Sequence, residues 1–365
     1  MDRRGGNVSL SEFLQRATSK WMKDGGPDDD IIVTSRIRIA RNLEDMPFPV
    51  LQTDSHADEV IRLVKQALES KSVKNVGQFE FARCSDMSAL DRYVLVEKHL
   101  MSRDLAEQVK HGAIALTEDE VMSIMVNEED HLRIQCIMPG FRLQEAWNRA
   151  SEVDDALEEH LPYSFHERYG YLTACPTNVG TGIRASVMMH LPGLVISGHI
   201  NRLLSAVSQV GLTVRGMYGE GSEAVGNLFQ VSNQMTLGES EEEIIGNLSS
   251  VVQQLIDHER SARRALMSQN RTDLEDRVCR SFGILAYARK IDSKETLQRL
   301  SDVRLGIDLG VIRGVSSSIL KELMVMIQPA FLQKYFHEEL APGERDTRRA
   351  ALIRERLRLD DMEVR

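Results

Sequence analysis

The feature that most restricts what this chain can fold into is a change of pattern at Glu239. Upstream, short runs of apolar/polar alternation are interleaved with helical periodicity; downstream, every patterned segment is helical. The downstream part opens with a long amphipathic helix over 241–266 and continues with helices near 272–289, 293–305, 316–327 and 346–359, broken by Gly or Pro. Strands mixed with helices, then helices alone, predict an α+β body followed by an all-α C-terminal domain. At 365 residues, 42% of them hydrophobic, the chain can bury a large core and exceeds one average domain, in keeping with that division.

Alternation predicts strands over 31–40, 121–126, 132–137, 169–174, 183–187, 212–215 and 228–231. Helices are expected over 11–21, 55–68, 88–101, 143–159 and 194–207, the second opened by Ser55 and Asp58 as a capping box. In the first strand, Arg36 and Arg38 point to one face and Ile37 and Ile39 to the other. A solvated strand face accounts for such a pair. So does a bound polyphosphate, because adjacent guanidiniums repel unless an anion lies between them.

Three turns carry chemistry. Asn127-Glu128-Glu129-Asp130 joins two strands and is followed at once by Arg133. Gly180 and Gly182 permit a tight loop between Cys175 and Arg184, with the thiol open to a structural or a reactive role. Three glycines within 216–222 mark a mobile loop carrying Glu220, directly after Arg215.

A net charge of −10 and a pI near 5.6 argue against wholesale attraction to nucleic acid or an anionic membrane. The opening MDRRGGNVSL lacks the apolar run of a signal peptide, and no stretch has the roughly 18 apolar residues of a membrane span. Cysteines 84, 136, 175 and 279 show no CxxC pairing and no His-flanked spacing, so neither a zinc site nor a disulfide framework is expected. A soluble protein of the reducing cytoplasm is the expectation.

Five arginines (36, 38, 133, 184 and 215) thus come from four separate strand ends, with Glu129, Glu220 and Cys175 on neighbouring turns. Phosphoryl transfer is largely positioning and electrostatic stabilisation, so an arginine cage around ATP and Mg²⁺ suits this set. The chain has no GxxxxGK[ST] loop and lacks the set of HRD, DFG and APE motifs, so the kinase design would be a different one.

TSRIRIAR, NEEDHLR, CPTNVGTGIR and RGMYGEGSEAVGNLFQVSN resemble, in order and spacing, the signature blocks of the guanidino (phosphagen) kinases over about 31–262. The resemblance implies an antiparallel sheet flanked by helices, on which ATP with Mg²⁺ phosphorylates a guanidinium nitrogen and no protein side chain ligates the metal. It implies that Arg36, Arg38, Arg133, Arg184 and Arg215 hold the phosphates and that His99 contacts the nucleotide. Ser35, Ile37, Ile39, Ala185, Ser186, Val187, Met188, Gly216, Met217, Tyr218 and Gly219 fall in the same nucleotide-binding blocks. Glu129 and Glu220 match the carboxylates that grip the guanidinium, and Cys175 the thiol beside it. A guanidinium, with a pKa above about 12, must be oriented and relieved of a proton before it can attack, which is work for carboxylates.

Two departures from the small-molecule members point to the branch of the family that phosphorylates arginine within proteins. Only one short helix precedes Arg36, where those members carry a helical domain that closes over a small substrate, so an open acceptor side is expected. The chain also continues past the shared lobe into Arg345-Asp346-Thr347-Arg348-Arg349-Ala350. That run fits a solvated helix start; alternatively Arg345 and Arg349, at i and i+4, fork a phosphate while Asp346 pairs a guanidinium, a phosphoarginine site. The expected division is 1–30 as a helical extension, 31–262 as the catalytic domain and 263–365 as a phosphoarginine-binding and oligomerisation domain. The resemblance further implies protein substrates with exposed arginine, allosteric tuning by phosphoarginine, a homodimer or larger assembly, and a role in stress response and protein quality control. Its implied partners are a zinc-containing activator, a transcriptional repressor and Clp protease components. A kinase of free small guanidines and a non-catalytic phosphoarginine-binding adaptor are the rival expectations.

Overall fold

The alternating segment Ile32–Arg41 forms strand β1, near the middle of a sheet. The structure, a computed structural model, describes residues 18–23, 25–216 and 224–357. The other strands are β2 (Phe79–Arg83), β3 (Ala113–Thr117), β4 (Met122–Val126), β5 (Leu132–Pro139), β6 (Phe165–His166), β7 (Gly170–Tyr171), β8 (Ile183–His190), β9 (Leu212–Gly216) and β10 (Leu228–Asn233). Eight of them make one sheet in the order β2-β3-β4-β5-β1-β8-β10-β9, and β6 pairs only with β7. Every neighbouring pair is antiparallel. An antiparallel sheet flanked by helices, with helices alone after β10, is therefore the observed fold.

On one face Ile37, Ile39, Ile134, Cys136, Ala185 and Val187 pack beneath the helices Asp54–Leu68, Leu143–Glu158 and Glu241–Gln269. On the other, Val33, Met125, Ile137, Met188 and Leu228 share a second buried cluster with Leu95, Leu105 and the C-terminal helices. Those helices are Arg271–Tyr287, Ser293–Asp308, Ile319–Met326, Pro329–Phe336 and Pro342–Arg356. Polar fasteners reinforce the shared core. Arg304 donates to the carbonyl of Asp29 and pairs with Asp308, which also meets Arg263. Asn227 donates to the buried hydroxyl of Ser301 at 2.7 Å, and His190 Nε2 lies 2.8 Å from that oxygen.

Several expected elements differ. The stretch 169–174 is a strand only at Gly170–Tyr171: Leu172 N–H turns to the Ser164 carbonyl and Ala174 N–H to the Asp130 carboxylate, so no ladder forms beyond it. The helix expected over 194–207 is two, Pro192–Ile196 and Ile200–Gln209, interrupted where Gly198 takes a φ of 73°. The capping box of Asp54–Leu68 belongs to Thr53 and His56, not to Ser55 and Asp58, because the helix begins a residue or two earlier than the apolar pattern. Pro329 and Pro342 sit in the first turns of helices, where a missing N–H costs nothing. Of the first expected helix, residues 11–17 lie outside the described residues, while Lys20–Lys23 is helical. The strands β2 and β3 were not anticipated. β3 is buried along its whole length and so carries no alternation to read.

Candidate active site

Antiparallel register decides which side chains share a face. Arg38 lies opposite Gln135 on β5 and Arg184 on β8; Arg36 lies opposite Ser186, itself opposite Ser232 on β10. Gln230, two residues from Ser232, faces Arg215 on β9, and Arg133 faces Ala40, which has the parity of Arg36 and Arg38. All five expected arginines therefore project from one face of five contiguous strands. Arg36, Arg38, Arg133 and Arg215 line a cleft of about 1520 Å³ together with His99, Gln135 and Gln230. Arg184 stands beside them, donating to Ser232 Oγ at 3.3 Å.

At the centre of this cluster counter-charge is scarce among the described residues. There Arg36 donates to neutral partners, Gln230 Oε1 at 3.1 Å and Ser186 Oγ at 3.5 Å. Burial first, then the charges of Arg184 and Arg133, brings its pKa down to about 10. Burial and the same kind of repulsion hold Arg38 well below the usual arginine range, and its buried Nε has no hydrogen-bond partner among the described residues. Several guanidiniums converging on one cleft, with Arg36 and Arg38 at its centre lacking a carboxylate partner among the described residues, suit a polyanion.

His99 stands at the cleft just beyond the helix Ala89–Glu97, in a left-handed conformation with φ 61°. Its carbonyl accepts from Gln135 Nε2 at 2.8 Å and its ring packs edge-on to Trp21. Burial and the nearby Arg36 bring its pKa down to about 4, so the ring is neutral at pH 7.

At the Arg133 end the cage meets its acids. Arg133 donates to Glu128 at 2.6 Å and to Glu129 at 3.0 Å; the Glu128 side chain is fully buried, whereas that of Glu129 is 45% exposed. Partial burial raises the pKa of Glu129 despite Arg133. Asp130, buried, accepts from Asn42 Nδ2 at 2.6 Å and from Ala174 N at 2.7 Å, tying the acidic turn to the residue before Cys175. The Cys175 thiol, partly exposed, lies 3.1 Å from Thr177 Oγ1. The loop behind it is held by Arg41, which donates to Thr181 O at 2.8 Å and pairs with Asp154. Gly182 is obligatory there: φ is 69°, and a Cβ would sit 2.6 Å from the Ala40 carbonyl oxygen.

His131, next to Asp130, accepts from Leu43 N at Nδ1 (2.9 Å) and donates from Nε2 to Pro47 O (3.0 Å), fixing a neutral tautomer. Burial brings its pKa down to about 4 from 6.5. Between those pH values the unfolded chain binds the proton and the folded one does not, so this site's contribution to stability is present above 6.5 and lost as pH falls toward 4. Partly buried carboxyls such as Glu97, raised to about 7 by desolvation, titrate in the opposite sense. The histidine's share is therefore read by difference. His131→Gln is expected to destabilise the protein at pH 7 and to lose that deficit relative to wild type between pH 6.5 and 4, in paired urea titrations; a pH-independent deficit would refute the assignment.

Not every expected site residue points its side chain into the cleft. Ser35 donates to Gly140 O and accepts from Arg142 N, and the side chains of Ile37, Ile39, Ala185 and Val187 pack in the core on the opposite face, as strand parity requires. Ser186 stands on the arginine face, and Met188 and Gly216 are buried on β8 and β9. Met217, Tyr218, Gly219 and Glu220 lie outside the described residues. Gln135, Gln230, Ser232, Glu128, Asp130, Asn42 and Arg41 were missed. Polar residues at every second position of β5 and β10 were the available signal for the first three.

In the C-terminal helix, Arg349 is buried and already engaged: it donates to Ile327 O at 2.8 Å, Ile291 O at 3.0 Å and Asp346 Oδ1 at 2.6 Å. Asp346 thus holds a guanidinium of its own chain, while Arg345 is partly exposed.

The family model of the ATP:guanido phosphotransferase C-terminal catalytic domain matches residues 59–262, and that of the protein-arginine kinase McsB C-terminal domain matches 271–365. The protein-arginine kinase of Halalkalibacterium halodurans is 58% identical over 354 residues, covering 97% of this chain and 99% of that one. That of Bacillus subtilis is 55% identical over 353 residues, 97% of both chains. The structure of lombricine kinase superposes with a TM-score of 0.57 at 28% identity, over 67% of this chain and 70% of that chain. The duplicated taurocyamine kinase of Schistosoma mansoni shares the fold, with a TM-score of 0.57 at 23% identity, over 74% of this chain and 41% of that chain. With an arginine face, a paired acid and a thiol arranged as described, and with these matches over both halves, the chain belongs to the ATP:guanido phosphotransferase family, in the group of bacterial proteins named protein-arginine kinase.

Proposed function

We propose that this enzyme transfers the γ-phosphoryl group of ATP to the guanidinium of arginine residues in proteins. The observation that carries the reading is the one-faced cage of five arginines ending at Arg133, whose second partner, Glu129, is the half-exposed acid. As the guanidino nitrogen forms its bond to the γ-phosphorus, the bond to the β,γ-bridging oxygen breaks and ADP departs with that electron pair. The proton lost by the nitrogen passes to Glu129, whose raised pKa suits it to accept. Arg133 and the neighbouring guanidiniums stabilise charge on the transferring group. Cys175, as thiolate, would fix the far side of the guanidinium, and Glu220 completes the acid pair in this proposal.

Mg²⁺ neutralises phosphate charge in such reactions. In this proposal the ion is carried by phosphate oxygens and water. No helix among the described residues is long and apolar enough to cross a membrane. The proposal extends to a cytoplasmic homo-oligomer tuned by phosphoarginine and acting in stress response with activator, repressor and Clp protease partners.

The test is mass spectrometry, under non-acidic handling, of an arginine-rich unfolded protein incubated with the chain, ATP, Mg²⁺ and any required activator. Phosphoarginine on the protein is expected. Turnover of free arginine alone would mark a small-guanidine kinase, and no transfer at all would leave an adaptor.

Phosphoarginine recognition by the C-terminal helix would rest on Arg345. Arg345→Ala is expected to weaken phosphoarginine binding without changing the melting temperature. Arg349→Ala, by stripping two buried carbonyls of their donor, should cost about 2–4 kcal/mol. If both variants melt alike, the separation of roles fails.

A further inference from the structure

We infer that the C-terminal helices form one wall of the nucleoside site, so that they bind ATP directly. The inference rests on the kinase reading above and adds an occupant for the part of the cleft that phosphates cannot fill.

Register gives the cleft a direction. Arg133, beside the acidic turn, marks one end; Gln135, Arg38 and Arg184 form the next row, Arg36 and Ser186 the next, and Met188, Gln230 and Arg215 the last. Rows two residues apart are spaced by about 7 Å, so the face spans a length on the order of 20 Å. Glu129 and Cys175 occupy the first end, which places the γ-phosphate there and sends the rest of the nucleotide toward the last row. At that end Val225, from the turn before β10, and Leu297, against which that turn lies, line the cleft; Val96 and Met101 of the body and Met324 and Pro329 of the C-terminal helices are further apolar parts of the same lining.

The two sides are held in fixed relation. Gly226 has φ 68°, and a Cβ there would meet the Leu297 carbonyl at 2.9 Å, so the turn lies directly on the helix Ser293–Asp308. Glu97, which also lines the cleft, accepts from the N–H groups of Ala330 (2.8 Å) and Phe331 (2.7 Å), docking the helix Pro329–Phe336 onto the body. The result is a slot of mixed lining, with Leu297, Met324 and Pro329 beside Ser293, Lys294 and Gln328, contiguous with the arginine face, a pairing that suits a nucleoside polyphosphate. The cleft, at about 1520 Å³, exceeds the range of about 300–1,000 Å³ usual for one small ligand, so the slot leaves room for the base without displacing the phosphates.

The test compares ADP with inorganic tripolyphosphate, which has the phosphates and no base. In calorimetric titrations of the full chain, Leu297→Ala and Met324→Leu are expected to weaken ADP by roughly tenfold and threefold while leaving tripolyphosphate unchanged. On the wild-type chain, ADP should slow amide exchange in 293–308 and 319–336, and tripolyphosphate should not. Equal loss of both ligands, or ADP protection confined to the body, overturns the wall. A wild-type chain that binds neither ligand overturns the kinase reading itself, and with it this inference.

Discussion

Glu129→Gln is expected to lower kcat for arginine phosphorylation by about 10²- to 10³-fold while the KM for ATP stays near wild type, the scale of losing a general base. Its neighbour supplies the control. Glu128 and Glu129 both touch Arg133, but the Glu128 side chain is fully buried and accepts at 2.6 Å, whereas Glu129 accepts at 3.0 Å and is 45% exposed. Glu128→Gln removes the buried partner of a cage arginine, so the loss should appear first in ATP affinity and in stability. A carboxamide at 129 keeps the size of the side chain and a hydrogen-bond acceptor for Arg133 but cannot take a proton. The split between the two variants in kcat against KM is thus the measurement. Two variants with the same kinetic profile would mean that the turn is simply an anchor for Arg133.

Strand parity makes the cage legible in the sequence: once Arg36 and Arg38 share a face, each antiparallel partner adds its own residue to it. The same parity divides a signature block: of the five residues of SRIRI, Arg36 and Arg38 project toward the cleft, while the side chains of Ser35, Ile37 and Ile39 lie on the other side. Arg41 breaks the even-numbered run and so faces the other way, where it holds the thiol loop through Thr181 and Asp154. Asp130 was hidden for a different reason. Its partners, Asn42 and Ala174, are 88 and 44 residues away, and a long-range hydrogen bond leaves no local pattern. The cleft's C-terminal wall was equally hidden, because Leu297 and Met324 carry ordinary core periodicity in helices far along the chain.

Arg38→Met carries the opposite pairing of effects: a more stable protein and a poor catalyst. Arg38 is partly buried and repelled by Arg36, Arg133 and Arg184, its buried Nε lacks a hydrogen-bond partner among the described residues, and Glu128 is the opposing charge, the smallest of the influences on it. Replacing that cation by a neutral side chain of similar length should raise stability by about 1–3 kcal/mol, the scale of relieving one unsatisfied buried polar group. Phosphoryl transfer should fall by about 10²- to 10³-fold, as when one donor to a developing anionic charge is removed, and the nucleotide-induced rise in melting temperature should shrink. Arg133→Met provides the contrast. It strands the fully buried Glu128 carboxylate, so it should cost about 3–5 kcal/mol as well as activity. Urea titrations of both variants without nucleotide decide the matter: if Arg38→Met is destabilised as Arg133→Met is, the arginine face is a satisfied part of the fold and not a charge held ready for phosphate.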